Sequence, residues 1–290
     1  MNRITNAFRR SQLSDKLIFI NVGIFLSERL LNVLLQLFNK PAAGILSFLQ
    51  VSSSPEALLK QPWSIITYSF LHADFLHILF NMLWLYWFGR MFLYYFTNKQ
   101  LVGVYLLGAI AGALIFILAY NTFPYFEGRT NMLIGASAAV MAIVFAVAAY
   151  NPNLEIRLLL LGRIKLIYLA GVVFLLDFLS ITSGNAGGHF AHIGGALFGI
   201  LFAVQYRKGR DLSNIINKPI DWLVGLVPKK GKPKGKMKVT YQKPNMDWNY
   251  NNRKNKENAE IDIILEKIKR SGYGSLTKEE KQKLFDAGNK

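Results

Sequence analysis

The stretch Gly188–Gly199, GHFAHIGGALFG, carries the pattern that decides the fold. Small residues recur at every fourth position in and after it, at Gly195, Gly199 and Ala203. In a helix this spacing places them on one face, and a face of small residues lets a second membrane helix approach closely. We therefore predict a membrane-spanning helix packed tightly against another span. His192 lies one turn before Gly195, on about the same face.

A matching set of small residues lies in an earlier apolar stretch, which contains GASAAV at 135–140. The alanines there repeat with the same spacing, at Ala138, Ala142 and Ala146. Contact between the two stripes would bring the imidazole of His192 to the hydroxyl of Ser137, and a hydroxyl beside a base is the minimal activated nucleophile. A serine among alanine and glycine in a span is more often a packing residue, so the motif alone leaves both interpretations open.

Ser137 is expected at the start of a short helix. A helix from Ser137 to Tyr150 is roughly 21 Å long, whereas the hydrocarbon layer is about 30 Å thick. The serine would then lie roughly 10 Å below the membrane surface. There the helix N-terminus directs backbone N–H groups toward negative charge developing on a substrate carbonyl oxygen.

The segment HADFLHILFN, residues 72–81, places His77 and Asn81 four residues apart. Both side chains then lie on one helix face, a turn apart, and both can donate hydrogen bonds to an oxyanion. The alternative is that they hydrogen-bond to neighbouring helices as structural residues.

Composition indicates a membrane protein. Hydrophobic residues make up 52% of the 290-residue chain, and the mean hydropathy is +0.25; both exceed the usual values for a soluble domain. There is no cysteine, which excludes disulfides and cysteine-based metal sites. Apolar stretches of spanning length predict six transmembrane helices, at 17–38, 75–96, 101–120, 132–150, 164–181 and 190–206.

The formal charge of +17 is mostly a property of the tail, because residues 207–290 contain 21 Lys/Arg against 10 Asp/Glu. Nucleic acid is therefore not an expected partner. Six spans place both termini on one side of the membrane. Lys and Arg are concentrated on the side of the termini, so the positive-inside rule predicts cytoplasmic termini, most simply in a plasma (inner) membrane.

In this order and on spans two, four and six, the motifs His-x-x-x-Asn, Gly-x-Ser and Ala-His-Ile-Gly-Gly resemble the rhomboid family of intramembrane serine proteases. The resemblance covers about residues 61–203. It implies an all-α fold, a polytopic six-transmembrane-helix bundle. It also implies a serine endopeptidase, without metal or cofactor, that cleaves membrane-anchored protein substrates near the extracytoplasmic face.

The resemblance implies the role of each site residue. Ser137 is the nucleophile and His192 the general base of a Ser-His dyad. His77 and Asn81 form an oxyanion hole with the backbone N–H of Ser137, while Gly135 and Gly195 support the site. The sequence departs from the family pattern at three positions, where it has Ser64, Ala138 and Met141.

The remaining segments flank the six-span protease domain at 17–206. Residues 1–16 form a cytoplasmic N-terminus, and 207–256 a basic amphipathic and linker segment. Within the latter, six lysines in Lys229–Lys238 predict either contact with anionic lipid or a solvated linker. Residues 257–290 predict a small helical element, with a capping box at Thr277 and Glu280.

Two other functions compete with proteolysis. A catalytically inactive relative would bind membrane helices without cutting them, and Ala138 is its one hint. A proton-coupled transporter would use the four histidines as a relay, but the sequence has no internal repeat of the kind common in transporters. Asp177 could be the third, acidic member of a catalytic triad, but a hydrogen-bonded structural role is the favoured expectation. His72 is expected to brace the first loop, and His189 to lie in a loop rather than to act as a ligand.

Overall fold

The computed structural model describes residues 12–40, 47–158, 162–182, 184–226 and 259–288. The chain divides into two compact units, residues 1–228 and 229–290, and each is described by itself. The first unit is predominantly helical. Its helices are α1 (Leu13–Leu37), α2 (Pro55–Lys60), α3 (Ser64–Thr67), α4 (Phe75–Tyr95), α5 (Asn98–Thr122), α6 (Ser137–Tyr150), α7 (Leu166–Leu179), α8 (Ala186–Arg207) and α9 (Asn214–Leu226).

Two short antiparallel strand pairs lie in the connections between these helices, and only the second is a hairpin of strands adjacent in the chain. β1 (Val51–Ser52) pairs with β2 (Met132–Leu133), with Val51 opposite Leu133. This pairing holds the first long connection against the segment that leads into α6. β3 (Glu155–Leu158) pairs with β4 (Gly162–Lys165) between α6 and α7.

Three of the described helices are long and apolar enough to cross a membrane: α1, α5 and α8. α6 and α7 are apolar but shorter, with 14 residues each. α4 has 21 residues, although His77, Asn81 and Arg90 interrupt its apolar sequence. The all-α membrane bundle is thus observed, while the count of six spans stays a prediction.

α6 occupies the centre of the bundle, where α4, α5, α7 and α8 all contact it. Eleven of its 14 residues are buried. Its sequence of alanine and valine explains this position, because small side chains allow neighbours to approach from every direction. The outer helices instead expose large apolar residues, as lipid-facing surfaces require. Those of α7 are Tyr168, Val172, Leu175, Leu176, Phe178 and Leu179.

The predicted contact between the two small-residue stripes is confirmed. A Cβ added to Gly195 would lie 2.0 Å from the carbonyl oxygen of Ala138, and one added to Gly199 would lie 2.3 Å from that of Ala142. α8 therefore lies against the backbone of α6 with no room for a side chain. This contact sets the distance between the helices that carry Ser137 and His192.

Two of the apolar stretches begin before the helices they contain. The stretch 132–150 starts with β2 and a turn at Gly135, so the helix itself starts at Ser137. The stretch 164–181 starts within β4, so α7 begins at Leu166. Met132 and Leu133 of β2 are themselves apolar, which is why hydropathy alone extends the first of these stretches beyond its helix.

A side chain of α1 binds the loop before α4. The guanidinium of Arg29 donates hydrogen bonds to the backbone oxygens of Ala73 and, at 3.5 Å, His72. α4 then starts with an N-cap, since Asp74 accepts from the backbone N–H of His77 at 2.9 Å. These contacts fix where α4 begins and thereby the position of His77.

α9 is the described part of the predicted amphipathic segment, and it packs on α5. Asn217 donates to the backbone oxygen of Lys99 at 2.9 Å, and Gln100 donates to Asp211 at 2.8 Å. Pro219 lies inside the helix. The lysine-rich stretch Lys229–Lys238 lies outside the described residues.

The second unit, as far as it is described, is a pair of short helices. Residues 259–271 are helical, Gly272 makes the turn with φ of +75°, and α10 spans Lys278–Gly288. The predicted capping box is formed: Thr277 N–H donates to Glu280 at 2.7 Å and Glu280 N–H to the Thr277 hydroxyl at 3.3 Å.

Candidate active site

One cavity of about 680 Å³ brings together residues from α4, α6, α7 and α8. The four residues predicted to carry chemistry all line it: Ser137, His192, His77 and Asn81. Apolar side chains complete the wall, among them Trp84 from α4 and Val173 from α7. The cavity therefore combines a few polar groups with a largely apolar surround, as ligand-binding clefts usually do.

Ser137 is the first residue of α6, as the sequence predicts. Ser137 lines the cavity, and Gly135, with positive φ, lies two residues before it. At this end of a helix the backbone N–H groups have no intrahelical acceptor. The backbone N–H of Ser137 is thus available to donate a hydrogen bond to a developing oxyanion, at the partially positive N-terminal end of the helix.

Gly135 makes room for His77. The φ of Gly135 is +127°, a conformation that favours glycine. A Cβ at this position would lie 2.7 Å from Nε2 of His77 and 3.6 Å from the hydroxyl oxygen of Ser137. His77 Nε2 and the Ser137 hydroxyl therefore approach the same small volume beside Gly135.

The hydrogen bond at the other ring nitrogen indicates the tautomer of His77. The backbone N–H of Ala73 donates to Nδ1 of His77 at 3.4 Å. Because Nδ1 accepts, the proton of the neutral ring is on Nε2, which is the nitrogen beside Gly135. His77 can therefore donate toward the cavity.

Asn81 lies one turn further along α4. Its amide nitrogen donates to the backbone oxygen of His77 at 2.9 Å. An amide has two N–H groups, so one remains for a ligand in the cavity. Asn81 is 7% exposed, and its position in the cavity wall is compatible with either an oxyanion donor or a structural role.

His192 lies in α8, and its Nδ1 is 2.8 Å from Oδ1 of Asp177 on α7. No hydrogen bond joins His192 to Ser137 within the described residues. The same oxygen of Asp177 is 2.8 Å from Nδ1 of His189, which lies in the first turn of α8. The sequence predicts a loop position for His189, and this is wrong because the helix starts already at Ala186.

Asp177 has the hydrogen-bonded role that the sequence predicts, but its partner is the candidate general base. The sequence alone allows this carboxylate as a third member of the catalytic group but favours a purely structural role. The available signal was the presence of a carboxylate within an apolar span, which normally requires a partner.

Among the described residues, Asp177, His189 and His192 form a group that could hold a metal ion, with donor atoms all within 4.8 Å of one another. Nitrogen and carboxylate donors of this kind suit zinc. In the structure the Nδ1 atoms of both histidines are hydrogen-bonded to Asp177, so an ion bound through those nitrogens would replace these hydrogen bonds.

His72 packs beside the site. It is 2% exposed, and its ring contacts that of His77 edge-on, with centroids 5.1 Å apart. Burial, and secondarily the neighbouring His77, lowers the pKa of His72 to about 4. His72 is therefore neutral at pH 7, and among the described residues its two buried ring nitrogens have no hydrogen-bond partner, so the predicted bracing of the first loop stays a prediction.

The three departures from the family pattern leave the cavity intact. Met141 lines it and is 9% exposed. Ala138 is buried at the contact between α5, α6 and α8, where its methyl group lies 2.6 Å from a Cβ added to Gly112. Ser64 is buried at the N-terminus of α3.

Comparison with known proteins identifies the family. A family model described as a rhomboid domain matches residues 59–209, just over half of the chain. The chain belongs to the rhomboid family and is a helical, multi-pass membrane protein. A second model, described as a family of unknown function (DUF6576), matches residues 245–287.

Individual relatives include proteases and other rhomboid-like proteins. The chain is 33% identical over 159 residues to RHOMBOID-like protein 12, mitochondrial, of Arabidopsis thaliana, which covers 51% of this chain and 47% of that protein. It is 28% identical to Presenilin-associated rhomboid-like protein A, mitochondrial, of Danio rerio, over 46% of this chain and 35% of that protein. It is 31% identical to Rhomboid protease GlpG of Haemophilus influenzae, over 52% of this chain and 73% of that protein. The chain thus spans about half or less of the first two relatives.

Proposed function

We propose that this chain is an intramembrane serine endopeptidase that cleaves membrane-anchored proteins. The observation that carries the proposal is the common cavity of Ser137, His192, His77 and Asn81. Each polar group in an apolar bundle is costly. If the serine and the histidines only packed or joined helices, they would not be expected to line one common cavity.

In the proposed reaction, the hydroxyl oxygen of Ser137 attacks the scissile carbonyl carbon while Nε2 of His192 accepts the hydroxyl proton. The carbonyl oxygen becomes an oxyanion, which accepts hydrogen bonds from the Ser137 N–H, His77 Nε2–H and Asn81. Collapse breaks the C–N bond, and His192 returns the proton to the leaving amine. Water then hydrolyses the acyl-enzyme by the same steps, with His192 as base.

The largely apolar lining of the cavity supports the proposed substrate class. Its apolar wall suits an unwound stretch of a membrane-anchored protein, and the relative named as a protease supports this class. Lysines at 229–238 would favour anionic lipid at the membrane surface. We propose no nucleic-acid partner.

The distribution of Lys and Arg supports a six-span orientation with both termini in the cytoplasm and the cavity near the extracytoplasmic side. The comparisons do not support the predicted plasma membrane, since two of the relatives carry mitochondrial names.

A second candidate function is a catalytically inactive rhomboid-like protein that binds membrane helices. It is favoured by the lack, among the described residues, of a hydrogen bond between Ser137 and His192. In proteases such bonds are often long before a substrate binds and shorten in the complex with substrate.

Labelling with a fluorescent fluorophosphonate tests the proposal, because this reagent reacts with activated serines. Detergent-purified protein should label in the wild type, and labelling should disappear in Ser137→Ala and His192→Ala. Folded wild-type protein that fails to label would support the inactive binder. Labelling that persists in Ser137→Ala would show that another residue reacts.

A further inference from the structure

We infer that Asp177 is a positioning residue for His192, holding the general base in the tautomer and orientation that proton transfer from Ser137 requires. The inference rests on the proposed function. It adds a third, acidic member to a site for which the family resemblance implies a dyad.

The first support is the location of the carboxylate. Asp177 is the only acidic residue in α7, whose sequence LIYLAGVVFLLDFL is otherwise apolar except for Tyr168. Asp177 is 8% exposed. A charged group in such a helix is costly unless it has a partner, and the partners here are two histidine nitrogens of α8.

The second support is the atom that Asp177 contacts. An ionised carboxylate only accepts hydrogen bonds, so the 2.8 Å contact requires the proton of neutral His192 to be on Nδ1. Nε2 then carries the lone pair that a general base needs. When His192 takes the serine proton, the adjacent carboxylate also stabilises the imidazolium that forms.

The third support is that His189 provides a natural comparison. It contacts the same oxygen at the same distance of 2.8 Å, but it does not line the cavity, whereas His192 does. If the carboxylate only joined α7 to α8, the two histidines would be equivalent. If it positions the base, only the contact to His192 affects chemistry.

The test compares Asp177→Asn, Asp177→Glu and His189→Ala with wild type, by the rate of fluorophosphonate labelling and the temperature of unfolding in detergent. We expect Asp177→Asn to slow labelling at neutral pH by about tenfold or more, a fraction of the 10²–10⁴ that a general base contributes. Asp177→Glu should recover part of the rate because it keeps the charge. His189→Ala should label within about threefold of wild type, even though it too loses a contact between the helices.

The pH dependence of the labelling rate distinguishes a positioning role of Asp177 toward His192 from a purely structural contact between α7 and α8. The titratable groups that face His192 in the described residues are Asp177 on α7, His189 on its own helix and His77 on α4. Loss of the carboxylate removes the negative charge next to protonated His192. The acid limb of the labelling rate should therefore move to lower pH in Asp177→Asn, and move less in His189→Ala.

Two results would overturn the inference: an unchanged rate and acid limb in Asp177→Asn, or an equal loss of rate and stability in Asp177→Asn and His189→Ala.

A measurement independent of activity is ¹⁵N-histidine NMR of the intact protein. It should show the Nδ1–H tautomer of His192 in wild type and a mixture in Asp177→Asn. Wild type that fails to label refutes the proposed function, whereas the Nε2–H tautomer in wild type refutes the positioning role.

Discussion

Replacement of Gly195 by alanine should separate α6 from α8 and thereby inactivate the site. The added Cβ would lie 2.0 Å from the carbonyl oxygen of Ala138 and 2.8 Å from its carbonyl carbon, both backbone atoms that cannot rotate away. Real Cβ contacts are essentially never under 3.0 Å. The two helix backbones must therefore move apart by at least about 1 Å.

That displacement acts on the residues that have to meet. Gly195 is one turn from His192 on α8, and Ala138 directly follows Ser137 on α6. A misplacement of about 1 Å between reacting groups costs on the order of 10²-fold in rate. Overpacking of a core costs about 1–3 kcal/mol of stability, opposing the roughly 1 kcal/mol that glycine to alanine normally gains in a helix.

The assay is the fluorophosphonate labelling rate, measured with the unfolding temperature in detergent. Gly171→Ala is the matched control, since Gly171 also lies within a helix and its added Cβ meets nothing within 4 Å. We expect the control to label normally and to unfold at the same or a higher temperature. If Gly195→Ala and Gly171→Ala label at the same rate, the spacing of α6 and α8 does not control the chemistry.

Three further predictions concern the oxyanion side of the cavity and the loop beside it. Gly135→Ala should slow labelling more than Gly128→Ala. Both positions have positive φ, but only a Cβ added at Gly135 would lie 2.7 Å from Nε2 of His77. Similar labelling rates in the two variants would contradict the proposed position of His77 beside the site. His77→Ala and Asn81→Ala should each slow labelling by about 10²–10³-fold as lost oxyanion donors, and a residue whose removal has no effect has only a structural role. The pKa of His72 is about 4, against 6.5 for a free histidine. Protonation of His72 therefore leaves the free energy of unfolding unchanged above pH 6.5 and lowers it as pH drops toward 4, by up to about 3 kcal/mol. The unfolding temperature should therefore fall more between pH 7 and pH 5 in wild type than in His72→Gln, and parallel curves for the two proteins would refute this.

Much of the site follows from local sequence because its spacing is helical. The small residues at Gly195 and Gly199 predict the face that meets α6, and the contact is found at the backbone of Ala138 and Ala142. The start of α6 at Ser137 is also predictable, because the small residues before it suit a turn. In both cases the sequence signal that permits the prediction lies within one helix or one turn.

The parts that could not be predicted depend on how separate elements are rotated and paired. Asp177 meets His192 only because α7 turns its one carboxylate toward α8, and hydropathy does not specify that rotation. The pairing of Val51 with Leu133 involves strands of two residues, which are too short to give a periodic signal. Arg29, which a charge count can only mark as costly in a span, reaches the loop before α4.

The enclosure of α6 by four other helices has a consequence for how the protein responds to its membrane. Hydrophobic mismatch acts on surfaces that touch lipid, where it is relieved by tilting of helices or deformation of the bilayer. α6, with 11 of 14 residues buried, offers little such surface, so its length of 14 residues need not match the bilayer. Changes in bilayer thickness therefore act first on the tilt of the outer helices α1 and α7, and reach Ser137 only through their packing on the helix at the centre.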